Sequence, residues 1–215
     1  MLRLPKEGRS GLQVGSDRAW ARVCVQLGIT FTGYMPRGFL AKDGYHPEYA
    51  ERYNAKETTA TTYPPRTRLN IEESDGTLAI AYDFLSRGEQ LTARLAHQLR
   101  KPYLAIEIQG ARHGQASIPP DQLQRVRDWL VENDIEILNV AGNASVAIEE
   151  CVERFLTEVI TWESALQDLM DLARAGGFPA VPGNPKGDRL RTLCAMSGID
   201  LWQVGACLQS KGGLG

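Results

Sequence analysis

The stretch S-G-L-Q-V-G-S-D-R-A at residues 10–19 is the part of this sequence that says most about the fold. Gly11 and Gly15 allow a tight turn. Apolar residues then recur at helical spacing from position 20 to 27, and Gly28 is a typical helix stop. A glycine loop followed by a helix is the phosphate-binding turn of α/β nucleotide-binding sheets, in which a strand comes first.

The strand before this loop is the weakest part of the pattern. The apolar residues near the loop are few: positions 1, 2, 4 and 12, while Lys6, Glu7 and Arg9 intervene. A central strand of a parallel sheet should be almost entirely apolar. We therefore expect the segment before Gly11 to form a short or irregular strand.

Beyond residue 28, apolar runs alternate with amphipathic helices. Predicted strands cover residues 29–34, 77–82, 103–108 and 135–140, with 77–82 near the centre of the sheet. Residues 45–65 lack a clear period and predict a long excursion over the sheet edge. The alternation predicts an α/β fold, a Rossmann-like parallel sheet with helices on both faces.

The composition changes near residue 174. We predict a ligand-binding domain at 1–173, a Gly/Pro-rich linker at 174–187 and a small helical C-terminal appendage at 188–215. The predicted helix at 145–173 carries a wider apolar surface than the stripe of about 100° that a globular helix usually buries. We therefore expect the tail or a second copy of the chain to cover it, and we predict a homo-oligomer.

The overall composition narrows the classes of partner. The chain has 215 residues, 43% of them hydrophobic, and a net charge of −2, which gives no basic excess for nucleic acid. Its four cysteines form no C-x-x-C pair, so no zinc pattern is present and reduced thiols are expected. No apolar run reaches the roughly 18 residues of a membrane span. A cytoplasmic protein with a small phosphate-bearing ligand, and without nucleic acid or membrane partners, is the resulting expectation.

Three further motifs follow the first at ordered intervals. They are G-Y-M-P-R-G-F-L-A-K-D-G at 33–44, P-P-R-T-R-L-N-I-E-E-S-D-G-T-L at 64–78 and L-N-V-A-G-N at 138–143. Together the four resemble the molybdenum-cofactor carrier family over roughly residues 8–160. That family is a branch of the Rossmann-like superfamily that also holds the LOG-type nucleoside-monophosphate phosphoribohydrolases. The matching positions include Gly11, Gln13, Gly15, Asp17, Arg18, Gly33, Pro36, Gly38, Asp43, Gly44, Arg66, Thr67, Asn70, Ser74, Asp75 and Thr77.

The resemblance implies a site at the carboxyl edge of the sheet that holds a phosphate-bearing pterin or a nucleotide, with the molybdenum cofactor as one candidate. Arginine binds phosphate and similar oxyanions bidentately, although Arg18 and Arg66 could instead pair with aspartates to fix the loops. Ser16 or Asp17 could likewise act only as a helix cap. The ligand-binding residues predicted in this way are Gly11, Gln13, Gly15, Ser16, Asp17, Arg18, Arg37, Arg66, Asp75, Gly88, Thr92, Asn139 and Gly142.

Several positions depart from the family pattern. Leu12 replaces a glycine and is expected to crowd a bound phosphate, and Val14 replaces a threonine. In the later loop, Arg87 replaces a glycine and Glu89 a threonine, and a carboxylate next to an anion site is repulsive. Asn143 stands where the family motif continues towards an arginine. These changes indicate a remodelled ligand preference or a decayed site, and predict that Leu12→Gly improves anion binding.

The sequence favours a non-enzymatic binding protein over two alternatives. A LOG-like hydrolase of nucleotide N-glycosidic bonds would use a glutamate after its glycines, near where Arg94 stands here. An interaction protein with a vestigial pocket is the other alternative. His46, His97 and His113 are isolated from one another and form neither a catalytic triad nor a metal-ligand cluster.

Overall fold

The computed structural model describes residues 5–174, with side chains up to Thr161. The strands are β1 (Glu7–Arg9), β2 (Thr30–Met35), the short antiparallel pair β3 (Leu40–Ala41) and β4 (Gly44–Tyr45), β5 (Ala55–Glu57), β6 (Gly76–Ala81), β7 (Tyr103–Glu107) and β8 (Ile137–Gly142). Six of them form one sheet in the order β5-β2-β1-β8-β6-β7, and every neighbouring pair in it is parallel. This parallel pairing confirms the predicted fold class.

Helices connect the strands and cover the sheet. They are α1 (Ser16–Leu27), α2 (Tyr49–Arg52), α3 (Tyr63–Glu72), α4 (Arg87–Gln98), α5 (Asp121–Glu132) and α6 (Glu149–Arg174), with short 3-10 turns at Ala111–His113 and Val146–Ile148.

Two groups of helices form the outer layers. Helices α3 and α4 pack together through Ile71, Leu95 and Ala96. Helices α1 and α5 are both tied to the first part of α6: Arg22 pairs with Glu149 of α6, and the Arg127 guanidinium donates to the backbone carbonyl of Glu158. The sheet is thus the middle layer of the domain.

Strand β1 is only three residues long, as expected, yet it occupies the centre of the sheet between β2 and β8. Its charged residues are accommodated by pairing, since the buried Arg9 guanidinium contacts both Glu7 and Glu73. Gly8 is required because a Cβ there would collide with the side chain of Cys24. Charge pairing and close helix packing therefore let a polar segment serve as a central strand.

The predicted central position of residues 77–82 is wrong. Strand β6 lies between β8 and the edge strand β7, although all six of its residues are buried. An apolar run indicates that a strand is buried. It does not indicate the position of the strand in the sheet, because covering helices can also bury a strand next to the edge. Strand β5 was missed inside the 45–65 excursion because its sequence A-K-E has no apolar pattern and it pairs only with β2.

The contacts divide the chain into two units, of which Met1–Val159 holds the whole sheet. Helix α6 begins at Glu149, four residues later than predicted. Its side chains Val152, Leu156 and Val159 are buried within the single chain, and self-association stays a prediction. The predicted linker beyond residue 174 and the tail at 188–215 lie outside the described residues.

No helix among the described residues has both the length and the apolar character needed to span a bilayer.

Candidate functional site

A cavity of about 400 Å³ opens at the carboxyl ends of β1, β8 and β6. From β1 the chain moves outward through β2 and β5, and it later returns to build β6 and β7 on the other side, so the strand order reverses here. Such a switch point is where open parallel sheets bind ligands, and the volume lies within the usual range for small-molecule sites. The wall comprises Gln13, Asp17, Lys42, Tyr63, Arg66, Thr67, Tyr82, Asp83, Ser86, Gly88, Glu89, Leu91, Thr92, Ala141, Gly142, Asn143 and Ala144.

Six residues of the predicted site line this cavity together. They come from the first glycine loop and α1, from α3, from the start of α4 and from the end of β8, so separate motifs of the sequence converge on one place. The six are Gln13, Asp17, Arg66, Gly88, Thr92 and Gly142.

The backbone amides of the first glycine loop are occupied by carboxylates of the chain itself. The Gly11 amide donates to Asp17 Oδ2 at 3.1 Å, and the Asp17 carboxylate accepts further backbone hydrogen bonds from Gln13 and Gly142. The Gly15 amide donates to Glu149 Oε1 at 2.8 Å. The loop is therefore filled by two internal anions and is not the open phosphate cradle that its sequence predicts.

Asp17 is buried beside a cation. Burial raises its pKa, while the charge of Arg66 and the backbone donors act in the opposite direction. Arg66 Nη1 lies 3.5 Å from Asp17 Oδ2. A Cβ at Gly11 would collide with the Arg66 guanidinium. The glycine at this position thus makes room for an arginine of α3, where its sequence motif predicts close approach of a phosphate.

Leu12 does not crowd the cavity. It adopts a left-handed backbone conformation with φ of 54°, its side chain is fully buried, and it is absent from the cavity wall. The Leu12→Gly substitution would therefore empty part of the core and relieve no obstruction. The expectation that it improves anion binding is wrong, because a side chain after a tight turn can point into the sheet as readily as into the site.

Glu89 is the most unusual group on the cavity wall. It lies in the first turn of α4, only 5% exposed, and its Oε2 is buried with no hydrogen-bond partner among the described residues. Its pKa is raised to about 7, chiefly by burial and also by the nearby charges of Asp17 and Asp83, while the charge of Arg66 acts in the opposite direction. Near neutral pH this carboxyl therefore exists in both protonation states.

Two predicted arginines have other surroundings. Arg18 forms a bidentate pair with Asp43 at 2.8 and 3.0 Å and stacks over the Tyr49 ring, so it fixes the segment after β3. This is the structural alternative that the sequence left open. Arg37 is exposed in the turn after β2 and is not part of the cavity wall.

Three more predicted residues hold the sheet together. Asp75 accepts hydrogen bonds from the amides of Glu136 and Ile137, at the amino end of the strands and thus opposite the cavity. Asn139 donates to Thr77 Oγ1 within the sheet, and Ser16 Oγ donates to the carbonyl of Ile80. Asp75, Asn139 and Ser16 are therefore not part of the cavity wall, and neither are the predicted Gly11, Gly15 and Arg18.

Sequence reasoning missed several wall residues. Tyr63 and Thr67 were not predicted, although they stand at i and i+4 on α3, on either side of the predicted Arg66 at i+3, so helical periodicity could have placed them on the same face. The sequence suggested only that Asn143 replaces a cation of the family motif. In the structure it connects two loops: its Oδ1 accepts hydrogen bonds from the backbone amides of Tyr82 and Asp83, and its Nδ2 donates one to the carbonyl of Asp83. Such contacts between distant loops leave no local signal in the sequence.

The arrangement is suited to binding one modestly charged polar ligand. Arg66 and Lys42 supply positive charge, while Asp17, Asp83 and Glu89 supply negative charge when ionised. Among the described residues, no cluster of three or more histidine, cysteine or carboxylate side chains could hold a metal ion.

Comparison with known proteins gives a consistent result. The family described as "circularly permutated YpsA SLOG family" matches residues 9–160. A crystal structure of a "putative molybdenum carrier protein" from Syntrophus aciditrophicus is 31% identical with a TM-score of 0.63, covering 73% of this chain and 95% of that one. No curated protein matches the chain.

Proposed function

Because this chain belongs to the circularly permutated YpsA SLOG family, we propose that it is a binding protein whose cavity holds a pterin or nucleotide that bears a phosphate. The name of the similar Syntrophus protein makes the molybdenum cofactor one candidate ligand. In this proposal the protein binds and orients its ligand and performs no reaction on it.

The observation that carries this proposal is the position of Arg66. Its guanidinium lies on the cavity wall, and its Nε is buried without a hydrogen-bond partner among the described residues. Lys42 and the first turn of the 12-residue helix α4 lie on the same wall. An arginine, a lysine and the positive end of a helix dipole together favour a phosphate.

The balance of charge limits how many phosphates fit. Asp17 already offsets part of the Arg66 charge, and Asp83 and Glu89 face the same space. A ligand with one phosphate is therefore favoured over a triphosphate, which would meet uncompensated repulsion.

The residues present also fit the molybdenum cofactor in outline. Arg66 and Lys42 would hold its phosphate, and the Glu89 carboxyl, whose Oε2 has no partner among the described residues, would accept N–H groups of its pterin. The bound group would supply redox chemistry to whichever enzyme finally receives it. The residues of this chain would bind it and exclude water.

Calorimetry with guanosine monophosphate tests the proposal. We expect measurable binding to the wild type and at least about tenfold weaker binding to Arg66→Met, since a charge-assisted hydrogen bond contributes roughly 1.5–3 kcal/mol. Arg68→Met is the matched control, because Arg68 is half-exposed on the same helix and pairs only with Glu72 within the described residues. Equal affinity of the two variants, or no binding of any phosphate-bearing pterin or nucleotide to the wild type, would contradict the proposal.

A second candidate function is hydrolysis of a nucleotide N-glycosidic bond. It is favoured by one observation: Glu89 is a cavity carboxyl with a pKa of about 7, a value suited to general acid-base catalysis. Incubation with nucleoside monophosphates, followed by chromatography for the free base, tests it. Release of base by the wild type and not by Glu89→Gln would establish this activity instead.

A further inference from the structure

We propose that Glu89 recognises the 2-amino-4-oxopyrimidine edge that guanine and pterins share, and so makes the cavity selective for these heterocycles over adenine. This inference rests on the ligand-binding role proposed above. It assigns a specificity-determining role to a residue whose sequence position suggested only repulsion of an anion.

The first support is the unsatisfied state of the carboxyl. Glu89 is almost completely buried, and its Oε2 meets no donor from any described residue. Its own backbone amide is already used, since it donates to the Ser86 side chain as part of the helix cap. A buried acceptor without a partner is destabilising, and such groups in native proteins call for a ligand or a water.

The second support is that neighbouring polar side chains already have partners. Gln13 Nε2 donates a hydrogen bond to the Leu40 carbonyl at 3.3 Å, and Gln13 Oε1 accepts one from the Lys42 amide at 3.0 Å. Thr92 donates to the carbonyl of Gly88, and the Asn143 amide spans two loops. These contacts fix part of the wall, whereas the buried Glu89 Oε2 has no donor among the described residues and is left to accept one from a ligand.

The third support is the chemistry of the partner that such a carboxyl needs. Guanine and pterin carry a ring N–H beside an exocyclic NH2 group, and the two donors point in the same direction. One carboxylate can accept both hydrogen bonds, in the bidentate manner of an arginine–carboxylate pair. Adenine offers an acceptor nitrogen beside its amino group and would face the carboxylate with a lone pair.

The remaining wall suits a flat heterocycle. Tyr63 and Tyr82 both line the cavity, and aromatic rings provide stacking surfaces for bases. Asp17 and Asp83 add negative charge near Glu89, which favours N–H donors at this carboxyl.

Two ligand pairs that differ at the 2-amino group test the inference. Calorimetry measures the affinities of guanosine monophosphate and inosine monophosphate, and those of pterin and lumazine. The proteins are the wild type, Glu89→Gln and the control Glu107→Gln, which changes an exposed carboxylate of β7. We expect the wild type and control to prefer the 2-amino member of at least one pair by about tenfold or more, because an unpaired buried acceptor rejects the analogue. In Glu89→Gln that ratio should fall to near one. The pair that shows the preference identifies the ligand as nucleotide or pterin.

Other outcomes separate this inference from the proposed function. Equal binding of both members of each pair by the wild type, or an unchanged preference in Glu89→Gln, would overturn the role of Glu89 while the binding function stands. Absence of binding by every ligand would overturn both. Circular dichroism on each variant shows whether a lost preference comes from the site or from unfolding.

Discussion

Gly11 and Gly15 look alike in the sequence motif, but a methyl group added at each would meet different obstacles. At Gly11 the obstacle is the guanidinium of Arg66, the far end of a flexible side chain. At Gly15 the obstacle is the backbone carbonyl of Asn143. Gly15 also has a φ of 95°, which residues with a side chain rarely adopt. The first glycine therefore makes room for Arg66, the cation that we propose binds the ligand, whereas the second maintains the fold.

Alanine at each position should separate these roles. We expect Gly11→Ala to displace Arg66 and weaken guanosine monophosphate binding by about tenfold, with less than ~1 kcal/mol lost from the free energy of unfolding. We expect Gly15→Ala to lose roughly 2–4 kcal/mol, because a strained backbone and a backbone clash add together. Urea unfolding and calorimetry measure both quantities. A stable Gly15→Ala protein with only a binding defect would contradict the assignment.

The residue types on the cavity wall were better predicted than their roles. Asp17, Arg66, Gly88 and Thr92 lie on one cavity wall, and the sequence could group them because glycine loops and strand ends have local signatures; their role in binding stays a prediction. The partners of Asp17 could not be predicted. A carboxylate that accepts hydrogen bonds from the amides of the preceding loop and one that only caps a helix can stand at the same position of the same sequence motif. Burial of a carboxyl such as Glu89 depends on what α3 and β8 bring to it from elsewhere in the chain.

The loops that follow β6 and β8 behave as one element because Asn143 joins them. Its side chain makes three hydrogen bonds, at 2.9, 2.8 and 3.1 Å, to the backbone of Tyr82 and Asp83. These two residues lead directly into the first turn of α4, which carries Glu89. The geometry of the site therefore depends on an amide that touches no ligand in our proposal.

Asn143→Ala should destabilise the protein by roughly 2–4 kcal/mol, because it leaves two backbone amides and one carbonyl without partners. Asn133→Ala is the control, since Asn133 is exposed and its side chain makes a single hydrogen bond, to the carbonyl of Trp129. We expect the control to change the free energy of unfolding by less than ~1 kcal/mol. Comparable values for the two variants in urea unfolding would show that Asn143 does not hold these loops.

The positions of the strands along the sequence were predictable where the strands are apolar, and not where they are polar. Strand β7 was found within one residue, and β6 was recognised as buried. The three-residue strands β1 and β5 carry polar sequences, and their places follow from neighbours: β1 lies between β2 and β8, and β5 adds to the free edge of β2. Order within a sheet is a property of long-range packing that local patterns do not encode.

For the molecule as a whole, buried carboxyls and paired carboxyls give the free energy of unfolding opposite dependences on pH. Burial raises the pKa of Glu89 to about 7 and also raises that of Asp17. The Arg18 guanidinium lowers the pKa of Asp43; burial opposes ionisation of Glu73, but hydrogen bonds from Arg9 and Tyr34 outweigh it and lower its pKa. The first pair favours the folded state in acid, and the second pair favours it once its carboxyls ionise.

The ligand-free protein should therefore be most stable near pH 5, in the window above the ordinary aspartate pKa and below that of buried Glu89. A raised pKa gives stability that is fully present below the unfolded value of 4.5 and is lost as the pH rises through about 7. A shift of that size corresponds to roughly 3 kcal/mol. Thermal unfolding should show a Tm that falls from about pH 5 to 8 in the wild type and falls less in Glu89→Gln, which does not titrate. Identical pH profiles for the two proteins would mean that Glu89 is solvated and ionised throughout, and would remove the desolvated acceptor on which selective recognition depends.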